Sequence, residues 1–143
     1  MRTLPAIALG LGLCAGAHAE TVDFRCLASS GAGKPIQLQF DFPANDKAAG
    51  FVTYRHGSGR LPVHVVARKE ARNEEAGRPS EFTTTWKEAG AGGGVYTVVS
   101  QGARIYGFTY RRAQDGKTFA FDEDLDATGD DACAWNGARG QPR

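Results

Sequence analysis

Few residues of this chain could do chemistry, and their spacing narrows the options further. Beyond the N-terminal segment the serines are Ser29, Ser30, Ser58, Ser80 and Ser100. None stands in a Gly-x-Ser-x-Gly turn, the sharp strand-to-helix corner that presents a nucleophilic hydroxyl. His56 and His64 lie eight positions apart across a predicted hairpin. Paired with an acid they could form a general base, but surface or edge histidines without a role are commoner. Zinc asks for three or four nitrogen or sulfur ligands, and with two cysteines joined to each other the chain falls short. The run DEDLDATGDD spaces Asp122, Asp124 and Asp126 two apart, like the first ligands of a calcium loop. The pattern then breaks, because the sixth position is Ala127 rather than Gly and the twelfth is Cys133 rather than Glu. The run reads as a solvated acidic turn or a non-standard calcium site. These residues predict no catalysis and no cofactor.

The basic counterpart is Arg104, Arg111, Arg112 and Lys117, with Arg112 and Lys117 flanking Asp115-Gly116. A cationic loop on a rigid sheet could plug an acidic cleft such as the paired carboxylates of a glycosidase. The same residues also suit ordinary solvated surface.

The setting is an exported one. Arg2, the apolar run Leu4 to Ala17 and the small-x-small triplet Ala17-His18-Ala19 make residues 1–19 a secretory signal peptide. The apolar run is too short to remain as a bilayer span. Cys14 raises lipidation, but Leu13 stands before it where a lipoprotein signal has a small residue. The expected mature chain loses Arg2 from 17 basic residues and keeps all 16 acidic ones, so it is formally neutral. A nucleic-acid-binding domain would carry a basic excess. Two cysteines remain, Cys26 and Cys133, near opposite ends of a small domain bound for an oxidising compartment. Such a pair is expected to form a disulfide; a redox pair would sit close together as C-x-x-C.

The positioning elements are strands. Tyr106, Phe108 and Tyr110 alternate with Ile105, Gly107 and Thr109, and Phe119 and Phe121 alternate with Thr118 and Ala120. Period-two alternation marks strands with one buried face. Gly102 and Asp115-Gly116 sit at the turns of a three-stranded meander, Asp-Gly suiting a two-residue hairpin. Upstream, 21–27 predicts a strand with Val22, Phe24 and Cys26 inward. The segment 35–42 predicts a second, with Ile36, Leu38, Phe40 and Phe42 on one face. Segments 51–55, 60–67 and 81–87 supply three more, with Pro62 marking an edge or a strand start. Arg68 to Arg78 is expected to be a solvated connection and Ala89 to Gly94 a flexible turn. The fold class is therefore all-β: a single small antiparallel barrel or sandwich of about eight strands over residues 20–135, the first strand tied to the last by Cys26–Cys133. Residues 136–143 read as a mobile tail.

Gln101-Gly102-Ala103-Arg104, followed by Tyr106, Tyr110 and Gly116, resembles the signature block of the periplasmic and membrane-bound C-type lysozyme inhibitors. That family has a Ser-Gly-Ala-Arg-Tyr stretch, then aromatic residues and a Lys-Gly turn. Phe24-Arg25-Cys26 and Ala132-Cys133 fit its cysteine positions, so the resemblance spans roughly 24–42 and 95–135. It implies a small periplasmic β-barrel with an early-to-late disulfide, and a protein partner that is a cell-wall hydrolase. The family's inhibitory serine would fall on Gln101 and its inhibitory lysine on Asp115. Ser100 and Lys117 are near those positions but displaced, and a one-residue displacement changes the face. The expected contact residues are Gln101, Arg104, Arg112, Asp115 and Lys117, acting in a periplasmic or secreted binding protein. The alternative is an envelope β-protein holding a small ligand among Tyr96, Tyr106, Phe108 or Tyr110.

Overall fold

A computed structural model describes residues 21–135. The predicted signal peptide with Cys14, and the predicted tail at 136–143, lie outside the described residues. Eight antiparallel strands run in chain order around a closed barrel: β1 (Thr21–Ser29), β2 (Gln37–Pro43), β3 (Gly50–Tyr54), β4 (Arg60–Ala71), β5 (Glu81–Glu88), β6 (Val95–Gln101), β7 (Arg104–Arg111) and β8 (Thr118–Glu123). The only helical turn described is the 3-10 turn Leu125–Ala127. Pairing of β1 with β8 closes the ring, so no strand edge is left to template aggregation. Among the described residues no helix is long and apolar enough to cross a membrane.

The interior is an aromatic-rich core. Leu27, Leu38, Phe40, Val52, Val63, Tyr96, Val98, Phe108 and Phe121 are buried there with Trp86. The ring of Phe40 lies 5.4 to 5.9 Å from those of Trp86, Tyr96 and Phe108, in edge-on contacts. Such contacts add roughly 0.5–1.5 kcal/mol each beyond their buried area.

The inward face of β1 is not the one its alternation suggests. Arg25 pairs with Phe40 and Leu27 with Leu38, and directly opposed residues share a face. Asp23, Arg25 and Leu27 therefore point into the barrel, and Phe24 and Cys26 point out. Cys26 is nonetheless buried, at 2% exposure. It is covered by the segment after the 3-10 turn, which carries Cys133 back across the outside of β1. The disulfide, with Cα atoms 5.6 Å apart, thus joins β1 to this returning segment rather than to the last strand. A second fastening lies beside it. The Cys133 backbone N–H donates to Gln39 Oε1 at 2.8 Å, Gln39 Nε2 donates to Asp41 Oδ1, and Arg60 pairs with the other oxygen of Asp41 at 3.2 Å.

Besides an irregularity between Thr21 and Asp23 in β1, bulges in β4 and at the β6–β7 pairing shift the alternation. Between Val65 and Ala67 the β4 register slips. Val66 is left exposed, and Arg68 comes opposite Thr84 on the inward side. The predicted solvated connection accordingly begins later, because Arg68 to Ala71 are paired with β5. Between Val99 and Ser100 the β6–β7 register slips too. Ile105 then faces inward opposite Ser100, while Tyr106 is 55% exposed. The expected Tyr106–Phe108–Tyr110 face therefore holds only for its last two members.

Candidate functional site

The two ends of the barrel differ. At the end where β3, β5 and β7 finish, the interior is filled by tyrosines. Tyr96 donates to Glu88 Oε1 at 2.7 Å, and its oxygen lies 2.6 Å from the Tyr54 hydroxyl. Since Tyr96 has one proton and Glu88 takes it, Tyr54 donates to Tyr96. Glu88 Oε2 accepts the Gly94 N–H at 2.9 Å. Tyr110 stacks on Tyr96 with ring centres 4.7 Å apart, and Phe119 continues the stack. Burial, then the Tyr54 phenol and Glu88, raises the Tyr96 phenol above its ordinary range; burial, then Glu88, raises Tyr110; burial raises Tyr54 too. Gly94 is required here. A Cβ at this position would overlap the Tyr110 ring, so the last residue of the predicted flexible turn is a packed one.

The opposite end is open. A cavity of about 280 Å³ is lined by Arg25, Phe42, Arg68, Thr84, Trp86, Val98, Ser100 and Ile105, with Gly102 and Ala103 of the β6–β7 turn on its wall. Each bulge supplies a lining residue, Arg68 from β4 and Ile105 from β7. Two arginines, in three ion pairs, stand in or beside its wall. Arg25 reaches Asp23 and Glu123 at 2.9 Å each and donates to the Ala103 carbonyl at 2.8 Å. Burial alone would lower the Arg25 pKa, but Asp23 and then Glu123 outweigh it and raise it. Arg68 pairs with Asp46 and lies over the Phe82 ring. At the base, Trp86 is 3% exposed and its indole Nε1 has no hydrogen-bond partner among the described residues.

The residues expected to form one contact surface fall at both ends. Gln101 and Arg104 oppose each other across the two-residue turn Gly102–Ala103, at the open end. Gly102 has φ +57°, the left-handed value such a turn requires. Gln101 is held outside the barrel by a bond from its Nε2 to the Pro79 carbonyl at 2.8 Å. Arg104 is exposed, its guanidinium 5.0 Å from the Tyr106 ring centre, and it forms no ion pair among the described residues.

Arg112, Asp115 and Lys117 lie at the tyrosine-filled end, a strand length away. Their turn is not the predicted two-residue hairpin. Arg112 N–H donates to the Lys117 carbonyl around a four-residue loop, and Gly116 rather than Asp115 takes the positive φ. Arg112 grips Asp115 with two bonds, of 3.0 and 2.6 Å. The Arg112 bonds, then the Lys117 N–H, lower the Asp115 carboxyl to about 2. The charge of Arg112 is thus matched within its own turn. The sequence-expected ligand pocket is not assembled either, because Tyr96 and Phe108 are buried in the core and Tyr106 is outside.

Comparison with known proteins gives no match to a family model, a curated protein or a solved structure.

The remaining candidates are dispersed. His56 sits exposed in the β3–β4 turn, and His64 is exposed on β4 opposite Lys87. Asp122 belongs to β8, and Asp124 commits a carboxylate oxygen to capping the 3-10 turn at the Ala127 N–H. Among the described residues no cluster of three or more His, Cys, Asp or Glu is placed to hold a metal ion. Sequence reading missed Arg25, Arg68 and Trp86 as site residues. A signal for the first existed: a charge on one face of β1 matched by Glu123 on its barrel neighbour.

Proposed function

We propose that the protein is a non-catalytic binding protein of the periplasm that blocks a cell-wall hydrolase with the β6–β7 turn. The observation that carries this reading is Arg104, a cation with no ion pair among the described residues, at a two-residue turn on a closed barrel and beside the exposed ring of Tyr106. A guanidinium held this way suits a cleft lined by paired carboxylates. The turn is already ordered, so little conformational freedom is lost on insertion. The barrel and the Cys26–Cys133 link also agree with the architecture implied by the lysozyme-inhibitor resemblance. The contact shrinks from two turns to one. Gln101 and Arg104 remain in it, while Arg112, Asp115 and Lys117 stand at the far end.

The test is inhibition and capture of a panel of lysozymes by the oxidised mature chain. Expected are capture of a muramidase, its loss in Arg104→Glu, and its retention in Arg112→Glu/Lys117→Glu. No capture and no inhibition at molar excess would sink the proposal, and so would loss of binding only in the far-end variant.

A further inference from the structure

The inhibitor reading makes no use of the tyrosine-filled end, yet charge is sorted toward it. Antiparallel strands in chain order place alternate connections at one end, so the β1–β2, β3–β4, β5–β6 and β7–β8 connections all lie there. With their flanking residues (28–37, 54–61, 86–95 and 110–118) they hold seven basic residues and two acidic ones, Glu88 and Asp115. The rest of the described chain holds seven basic and thirteen acidic residues. A nearly neutral domain is thus polarised from end to end.

Both acids of the basic end are already engaged. Glu88 spends its two oxygens on Tyr96 and the Gly94 N–H, and Asp115 is held by Arg112. Arg60 is paired with Asp41. Lys34, Lys87, Arg111 and Lys117 are exposed and form no ion pair among the described residues. Their placement decides what they can hold. Val95 pairs with Lys87 on one side and with Arg111 on the other. Trp86 and Tyr110 face inward, so these two cations stand on the outer face, two strand spacings or about 10 Å apart. Lys34 and Lys117 belong to two further connections. Cations spread around a rim do not converge on one small anion; they suit an extended surface of distributed negative charge. Ile36 and Leu61 are exposed at the same end, at 36% and 40%. At a lipid surface phosphates meet the cations and the boundary with the acyl chains takes up aliphatic side chains. A soluble polyanion would leave both aliphatics in water.

We propose that the tyrosine-filled end docks on an anionic lipid surface, with Lys34, Lys87, Arg111 and Lys117 on the phosphates and Ile36 and Leu61 in the headgroup layer. The acidic excess elsewhere opposes the reverse orientation, so the β6–β7 turn with Arg104 faces away from the bilayer. This docking stands whether or not the turn engages a hydrolase.

The experiment is flotation of the oxidised mature chain with vesicles of phosphatidylcholine alone, or of phosphatidylcholine and phosphatidylglycerol in equal parts. Binding is expected to the mixed vesicles only. It should weaken as added salt shortens the screening length from roughly 30 Å to 3 Å. Each cation near an anionic surface strengthens binding about fivefold, so Lys87→Gln/Arg111→Gln should weaken it about 25-fold. Lys47→Gln/Lys69→Gln removes the same charge from exposed positions away from this end and should change binding less than twofold. On mixed vesicles carrying a paramagnetic lipid, amide signals of 34–36, 56–61 and 111–117 should broaden and those of 102–104 should not. This last readout uses the unaltered chain and is independent of how any variant folds. The proposal is overturned by no binding to mixed vesicles at low salt, or by equal binding to phosphatidylcholine alone. It is also overturned by equal losses in the two double variants, by broadening centred on 102–104, or by soluble heparin binding more tightly than the mixed vesicles.

Discussion

Replacing Tyr96 by Phe tests whether the tyrosine-filled end is held by hydrogen bonds as well as by packing. Tyr96 has no exposed surface, so a phenylalanine ring would occupy the same space and the change is confined to one oxygen. That oxygen donates to Glu88 at 2.7 Å and accepts from Tyr54 across 2.6 Å. Its removal deletes a bond to a carboxylate, worth about 1.5–3 kcal/mol, and strands the Tyr54 proton, at about 1–3 kcal/mol. The two effects overlap, and Glu88 and Tyr54 are only partly buried, so water can recover some of the loss. About 2–3 kcal/mol is expected. With an unfolding entropy of about 2.1 cal/mol/K per residue, a domain of this size loses roughly 4 °C of Tm per kcal/mol. The expected fall is therefore about 8–12 °C. Tyr54→Phe leaves the Tyr96–Glu88 bond in place and should cost about 1 kcal/mol. The double variant should cost less than the sum of the two, because both changes break the same Tyr54–Tyr96 bond. Thermal unfolding of the four proteins checks this. Tyr96→Phe within about 0.5 kcal/mol of wild type, the margin for an uncoupled surface change, would refute the chain from Tyr54 through Tyr96 to Glu88.

The same phenols make the barrel sensitive to alkali. Tyr54 and Tyr96 hold their protons more tightly folded than unfolded, so their contribution is fully present below about pH 10 and is lost as pH rises above it. Unfolding free energies from urea titrations between pH 9 and about 11.5 should fall by up to about 1.4 kcal/mol per pH unit for each phenol above pH 10, and a flat profile would contradict the buried protonated pair. Cys26→Ala/Cys133→Ala should destabilise by about 2–5 kcal/mol. The barrel should still form, since none of its strand pairings uses Cys133. Hydrogen exchange should then rise mainly in 128–134, and loss of all β structure would show that the link is required for folding.

The strand count was legible because period-two runs are bounded by strong turn signals, whereas the choice of a closed barrel over a sandwich rests on the long-range pairing of β1 with β8, which no local pattern encodes. β2 is the clearest instance: Leu38 and Phe40 face the core as their alternation requires. β1 failed for a physical reason. Cys26 on its outer face is buried by a later chain segment outside the barrel, and Asp23 and Arg25 on its inner face line the open end, so alternation separated the two faces but not which of them is the interior. The bulges at Val66 and Tyr106 were illegible because one unpaired residue reverses every inward assignment beyond it. Of the expected contact residues, Arg104 keeps its exposure. Arg112 does not keep its unmatched charge, because Asp115 three positions later closes on it.

The asymmetry of the barrel follows from where the bulges in β4 and β7 fall. At the far end alternation runs unbroken, and Tyr54, Tyr96, Tyr110 and Phe119 meet inside it and fill it. Toward the other end the slips at Val66 and Val99–Ser100 turn Arg68 inward and Tyr106 outward. Had β7 kept its register, the Tyr106 ring would occupy the interior position that Ile105 now takes. Deleting the bulge residue Tyr106 would also shorten β7 and move the Gly102–Ala103 turn, so the cavity and the presentation of Arg104 depend on the same irregularity. The open cavity and the exposed turn beside it therefore share one structural origin, the extra residue in β7.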